Sequence, residues 1–259
     1  MPPENHTFTT FPIASGGFCK RCNRGHLIDS GSALPYGRFL LDQLEKNKRL
    51  DLDIADDQSD FRFTLAPLYG PSRGQMFGVL ICRRQDGVSG MLKAFSGQFN
   101  GVWEAPGWVP PLLDVALFQR ISDPVDQMIK KLGKEIEGLE TDSPQRQELT
   151  NHRRELSRNL MREIHDLYAV TNFRGETEKL SQIYRGSGGM PTGTGDCCAP
   201  KLLNHAARHQ LIPLGLTEFY LGRENRSSTR HHGRFYPACS EKCQPIMGFM
   251  LCGLDREHG

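Results

Sequence analysis

The chain has no apolar run approaching the roughly 20 residues needed to cross a bilayer, so no membrane-spanning helix is expected. Its opening, Met1-Pro2-Pro3-Glu4-Asn5-His6, lacks the charged and apolar regions of a signal peptide, which points to a cytoplasmic, thiol-reducing setting. Net charge is nearly absent too: +2 over 259 residues, which makes any basic surface a local one. The Gly186–Gly195 stretch lacks the Gly-Lys-Ser/Thr ending of a phosphate-binding loop, which argues against nucleoside triphosphates as ligands. Neither disorder nor a fibrous repeat is indicated, because a 37% hydrophobic content at this length can bury a sizeable core.

What the chain does have is cysteine, eight in all, five of them in the last quarter. In a reducing compartment these read as metal ligands, reactive thiols and small buried residues rather than as disulfides. Gly195-Asp196-Cys197-Cys198-Ala199-Pro200-Lys201-Leu202-Leu203 is followed by His231-His232 and by Pro237-Ala238-Cys239-Ser240-Glu241-Lys242-Cys243. Soft ligands gathered in this way either hold zinc or activate a thiolate. Cys197, Cys239 and Cys243, with His232 or water as a fourth partner, form the leading candidate metal site. Cys19-x-x-Cys22 with His26 is a second possible site, with no fourth ligand visible nearby. A redox role for that pair is disfavoured, because no strand is expected before it.

The order of elements suggests an α+β fold. A short amphipathic helix with a basic end is expected between Leu34 and Leu50. Two strand-like runs, 75–82 and 88–97, flank an Asp86-Gly87 turn and predict a hairpin in a central sheet, with Cys82 packed as a small hydrophobe. Ser122-Asp123-Pro124 and Ser143-Pro144 read as helix starts, and apolar residues at three- and four-residue steps after each predict a long antiparallel helical hairpin over 122–170. Each helix has one narrow apolar stripe, so the pair is expected to project from the sheet. Arg153, Arg154, Arg158 and Arg162 fit a solvated helix face. Leu202, Leu203 and Ala206 share a helical face, placing Cys197 and Cys198 at a helix N-terminus, where the dipole favours thiolate. A strand over 214–222 follows. The expected organisation is an N-terminal segment 1–60 and an α+β domain 61–259 with the helical insertion 122–170.

This arrangement resembles the cytidine-deaminase-like fold, in which a β-hairpin precedes a helix carrying one zinc ligand and a second helix supplies a Pro-Cys-x-x-Cys pair. The resemblance implies a deaminase-like core interrupted by the helical hairpin, with zinc as cofactor. The family's general acid/base glutamate follows its helix ligand by two residues. Here those positions are Ala199 and Pro200, and Cys239 and Cys243 are spaced by three residues rather than two, so Glu218 on the neighbouring strand would have to supply the carboxylate. A second resemblance, carried by Met76-Phe77-Gly78-Val79-Leu80, Ala94-Phe95-Ser96-Gly97, Val109-Pro110-Pro111, Ala199-Pro200-Lys201-Leu202-Leu203 and His232-Gly233 with Tyr236-Pro237-Ala238-Cys239, is to the N-terminal extension of long RluA-type pseudouridine synthases. It implies association with RNA modification and with such a synthase as partner. The synthase's own His-Arg-Leu-Asp motif is absent, and Leu254-Asp255-Arg256 shares letters with it by coincidence.

Three functions remain open. One is a zinc site acting on a nucleobase or RNA. Another is a structural-zinc, RNA-binding adaptor, and the third a Cys197 or Cys198 nucleophile paired with His231 or His232 in an amidohydrolase or acyl-transfer site. For RNA, the loop bearing Arg223, Arg226, Arg230 and Arg234, opposed only by Glu224, supplies a local positive charge that could meet phosphate.

Overall fold

The computed structural model describes residues 13–254; Met1–His6 and Asp255 lie outside the described residues. Strands β1 (Ala14–Cys19) and β2 (Arg24–Asp29) form an antiparallel hairpin, and helix α1 (Leu34–Asn47) follows. Strands β3 (Gln75–Arg83) and β4 (Ser89–Phe95) make a second hairpin. The long helices α2 (Val115–Glu137) and α3 (Pro144–Leu167) come next, then the short strands β5 (Ala169–Thr171) and β6 (Thr177–Lys179) and the single turn α4 (Leu180–Ile183). Helix α5 (Cys198–Arg208), strand β7 (Ile212–Leu221), strand β8 (Phe235–Tyr236) and helix α6 (Gln244–Met250) complete the described chain. The result is a mixed α+β molecule with antiparallel sheets, and no described helix is long and apolar enough to cross a membrane.

The main sheet runs β4-β3-β7-β8, and both of its faces are covered. Side chains alternate across a strand. Phe77, Val79 and Ile81 of β3 therefore join Phe219 and Leu221 of β7 in one core, under α1 and the 3₁₀ turns Phe61–Phe63 and Ala66–Tyr69. Leu80 and Cys82 of β3 and Leu216 of β7 join the opposite core, under α5 and α6. Burial on both sides explains why β3 and β7 read as nearly unbroken apolar runs rather than as alternating ones. Burial also pushes the Cys82 thiol up to about 12, so it is a packing residue.

Glycine allows one critical approach in this sheet. Gly78 pairs with Glu218 across β3 and β7, and a Cβ there would lie 2.7 Å from Cys198 Cβ and 3.1 Å from Leu202 Cδ1. The bare backbone of β3 thus lets α5 descend onto the sheet beside Glu218.

Two features differ from the sequence reading. Helix α2 begins at Val115, not after Ser122, because Asp114 caps it by accepting from Leu117 N at 2.9 Å and Phe118 continues the apolar stripe onto Trp103. Pro124 is consequently inside α2. The α3 start does coincide with Ser143-Pro144, and Arg146 donates to the terminal carbonyls of Ile136 and Leu139, tying the two helices at their turn. Only Ser122 and Ile136 of α2 and Leu160 of α3 are buried. Finally, a strand does precede the first Cys-x-x-Cys: β1 ends on Cys19 and the motif occupies a hairpin turn, with Asn23 at φ +56°. The glycine-rich composition of Ser15-Gly16-Gly17 hid it.

Residues 14–50 pack directly against the rest of the molecule, β1 on α6 and α1 on β7.

Candidate metal centre

Cys197 is the N-cap of α5, and Cys243 is the N-cap of α6. Cys239 sits one turn earlier, with the amides of Cys243 and Gln244 bonded to its carbonyl oxygen at 3.2 and 3.1 Å. These two helix starts converge, so the sulfurs of Cys197, Cys239 and Cys243 lie within 4.8 Å of one another, and Cys239 and Cys243 are 3.4 Å apart in hydrogen-bond contact. Hydrogen bonding with Cys197, then with Cys243, lowers the Cys239 thiol from its ordinary value. Hydrogen bonding to Cys239 moves Cys197 up, and bonding to Cys197 and Cys239 moves Cys243 up. Three thiol groups that converge in this way could hold a metal ion, and sulfur donors suit a soft or borderline cation rather than an oxygen-seeking one.

Glu218 stands beside the sulfurs. It is buried, its Oε1 accepts from Ala199 N at 3.0 Å, and with Arg230 and the three cysteines it lines a cleft of about 60 Å³. Burial raises its carboxyl to about 7, partly offset by the Ala199 N–H. The cleft therefore combines three thiol ligands with a carboxyl group able to exchange a proton near neutrality.

Lys201, which sequence reasoning passed over, is the buried brace of this site. Its Nζ donates to the carbonyls of Phe95 and Gly97 at 3.0 Å each and lies 4.9 Å over the Phe95 ring. Gly97 N in turn donates to Asp196 O, and Tyr168 donates to Asp196 Oδ1 at 2.7 Å. The chain entering Cys197 is thereby fixed to the end of β4. A lysine inside an otherwise apolar helix face was the available signal.

His232 does not join the sulfurs. Its Nε2 is 2.6 Å from Glu45 Oε1 of α1, and its Nδ1 accepts from Gly222 N at 3.1 Å, so both ring nitrogens are engaged away from the cysteines. The pairing of a cysteine nucleophile with histidine fails for the same reason: His231 lies beside Glu224, while Cys198 is fully buried with its thiol donating to Met76 O. Burial pushes the Cys198 thiol well up, outweighing the helix-terminal effect expected from its position.

Of the four arginines, Arg230 reaches the cleft and lies 4.4 Å over the Tyr236 ring, whereas Arg223, Arg226 and Arg234 are exposed around it. Asn225 orders their loop: its Oδ1 accepts from Thr229 N and Arg230 N at 2.9 Å each. Glu224 is not the loop's only acidic neighbour, since Glu45 approaches from α1.

A second group also could hold a metal ion: Cys19, Cys22 and His26 are met by Cys252, all four ligand atoms within 4.8 Å. The chain matches no protein-family model, no curated protein and no solved structure.

Proposed function

We propose that the protein is a zinc-dependent hydrolase of deaminase type, acting on an amino-bearing nucleobase of RNA at the Cys197, Cys239 and Cys243 cleft. The observation that carries the reading is the placement of buried Glu218 in the same cleft as the three sulfurs. The order of hairpin, helix opened by Cys197, strand, and helix opened by Cys243 supports the deaminase-like resemblance. RNA as the substrate rests on the arginines of the 223–234 loop and on the resemblance to the synthase extension.

When bound, zinc supplies an electrophilic centre that three protein ligands leave open at one position. In hydrolytic deamination a water oxygen bonds to the ring carbon, the exocyclic carbon–nitrogen bond breaks, and ammonia leaves. Glu218, held at Oε1 by Ala199 N–H, takes a proton from the water and passes one to the departing nitrogen. Arg230 at the cleft edge meets the negative charge of a neighbouring phosphate.

The expected result for Glu218→Gln is full retention of metal with ammonia release from RNA or nucleosides reduced by at least about 100-fold, the scale of general acid/base catalysis. Cys198→Ala, which alters no ligand, should keep the ion at the cleft, and Cys239→Ala should lose that ion. Equal ammonia release by wild type and Glu218→Gln defeats the proposal.

The size of the cleft favours a second reading. About 60 Å³ is well below the roughly 300–1,000 Å³ of clefts that enclose small molecules, so a base would enter only if the cleft widened. In that reading the metal is structural and the protein an RNA-binding adaptor; salt-sensitive RNA retention without ammonia release supports it.

A further inference from the structure

We infer that Cys19, Cys22, His26 and Cys252 form a second, closed metal site that takes a zinc-class divalent ion and fastens the first β-hairpin to the end of α6. The number and kind of donors differ from those at the cleft. Three sulfurs and one imidazole make a complete tetrahedral set, which leaves no position for a substrate and marks a structural rather than a catalytic ion. The four ligand atoms already lie within 4.8 Å of one another, and Cys22 Sγ is 3.0 Å from His26 Nε2, so the imidazole is turned toward the sulfurs. An ideal tetrahedron with the usual zinc–sulfur and zinc–nitrogen lengths requires edges of about 3.5 to 3.8 Å, within reach of small side-chain adjustments.

Cys19 closes β1 and Cys22 lies in the turn that leads into β2, so one hairpin turn presents both thiols. Three thiolates, one neutral imidazole and a divalent ion sum to a charge of about −1. Lys20 in the turn and Arg24 at the start of β2 are cations close in sequence to these ligands. Cys19, His26 and Cys252 are buried while Cys22 is partly exposed, which gives the ion a path in without leaving it open to bulk water.

The packing around the four ligands is as close as backbone permits. Gly17 of β1 and Gly248 of α6 face each other: a Cβ on Gly17 would lie 2.4 Å from Gln244 O, and one on Gly248 would lie 2.2 Å from Phe18 O. This contact brings the strand ending at Cys19 alongside the helix that runs out to Cys252. Ser15, at the other end of β1, accepts from Ala238 N at 2.8 Å, immediately before Cys239. One strand therefore runs from the cleft's cysteine turn to the second group of ligands, and an ion at the far end secures both.

Metal content per chain, measured on the full-length protein purified under reducing conditions, tests the assignment. Wild type should carry two equivalents of zinc. Cys252→Ser and Cys239→Ala should each carry one, and His26→Cys, which preserves a four-donor set, should carry two. The loss in Cys252→Ser reports this site and the loss in Cys239→Ala reports the cleft, so failure of either is read separately. Should Cys252→Ser not fold, Cys239→Ala stripped by chelator and titrated with cobalt should take up one equivalent, with the absorption of a tetrahedral thiolate complex. Undiminished metal in Cys252→Ser, no cobalt uptake by Cys239→Ala, or a disulfide among these cysteines in the reduced preparation would overturn the inference.

Discussion

Asp51 is almost fully buried against Arg49, whose Nε and Nη2 donate to its two carboxylate oxygens at 2.8 and 2.7 Å. Those hydrogen bonds hold its carboxyl below the ordinary value. A depressed carboxyl contributes stability that is complete above the ordinary carboxylate range, near pH ~4, and is lost as pH falls through the lower folded value. Asp51→Asn should therefore lower stability by about 1–3 kcal/mol at pH 7, the range for a buried charge-assisted pair. The gap from wild type should shrink as pH is taken below ~4, as the unfolded carboxyl and then the folded one take up a proton. Urea midpoints at pH 7 and pH 3 check this; a gap that widens in acid contradicts it. The three cleft cysteines were legible in the sequence because no other residue type gathers sulfur so densely. Cys252 was not, since nothing near it in sequence is a ligand and only the β1–α6 packing brings it to Cys19. His232 misled for the converse reason: it is close to Cys239 along the chain, but β8 and the preceding turn point it at α1.

Helix α5 meets the sheet at Gly78, and the fit there decides where Cys197 lies. In Gly78→Ala the new methyl group would press on the Cβ of Cys198, which belongs to the helix and cannot swing aside as a flexible chain end would. Overpacking of this kind costs about 1–3 kcal/mol. Gly78→Ala should melt at a lower temperature and hold less metal at the cleft, whereas alanine at Gly90, where a Cβ meets nothing within 4 Å, should do neither. Differential scanning calorimetry with metal analysis of the two variants separates these outcomes. Elements with strong periodicity were legible: the β3–β4 hairpin with its Asp86-Gly87 turn, α1, α3 and β7 all stand close to where the pattern puts them. The early start of α2 was obscured because Ser122-Asp123-Pro124 has the chemistry of a helix start, and only the Trp103–Phe118 contact and the Asp114 cap overrule it. Strand β1 carries Gly16 and Gly17 where a strand usually shows branched apolar residues, and β5 and β6 are three residues each, too short to display a period.

At the scale of the whole molecule, a balanced net charge coexists with an ordered arginine loop beside a three-sulfur cleft, which the total alone could not reveal. The α+β class followed from element order, but the two-faced sheet and the union of residues 14–29 with α6 depend on contacts between distant parts of the chain.

The meeting of Cys19 with Cys252 has a topological consequence. The β1–β2 hairpin and α6, at opposite ends of the described residues, are neighbours in space. A permuted chain, with the two ends joined by a flexible linker and new ends opened between Asp86 and Gly87 in the exposed β3–β4 turn, should fold to the same structure. It should keep the metal content of the original and a melting temperature close to it. Loss of metal from the permuted chain would show that continuity across the β3–β4 turn is needed to form the sheet on which the cysteines converge.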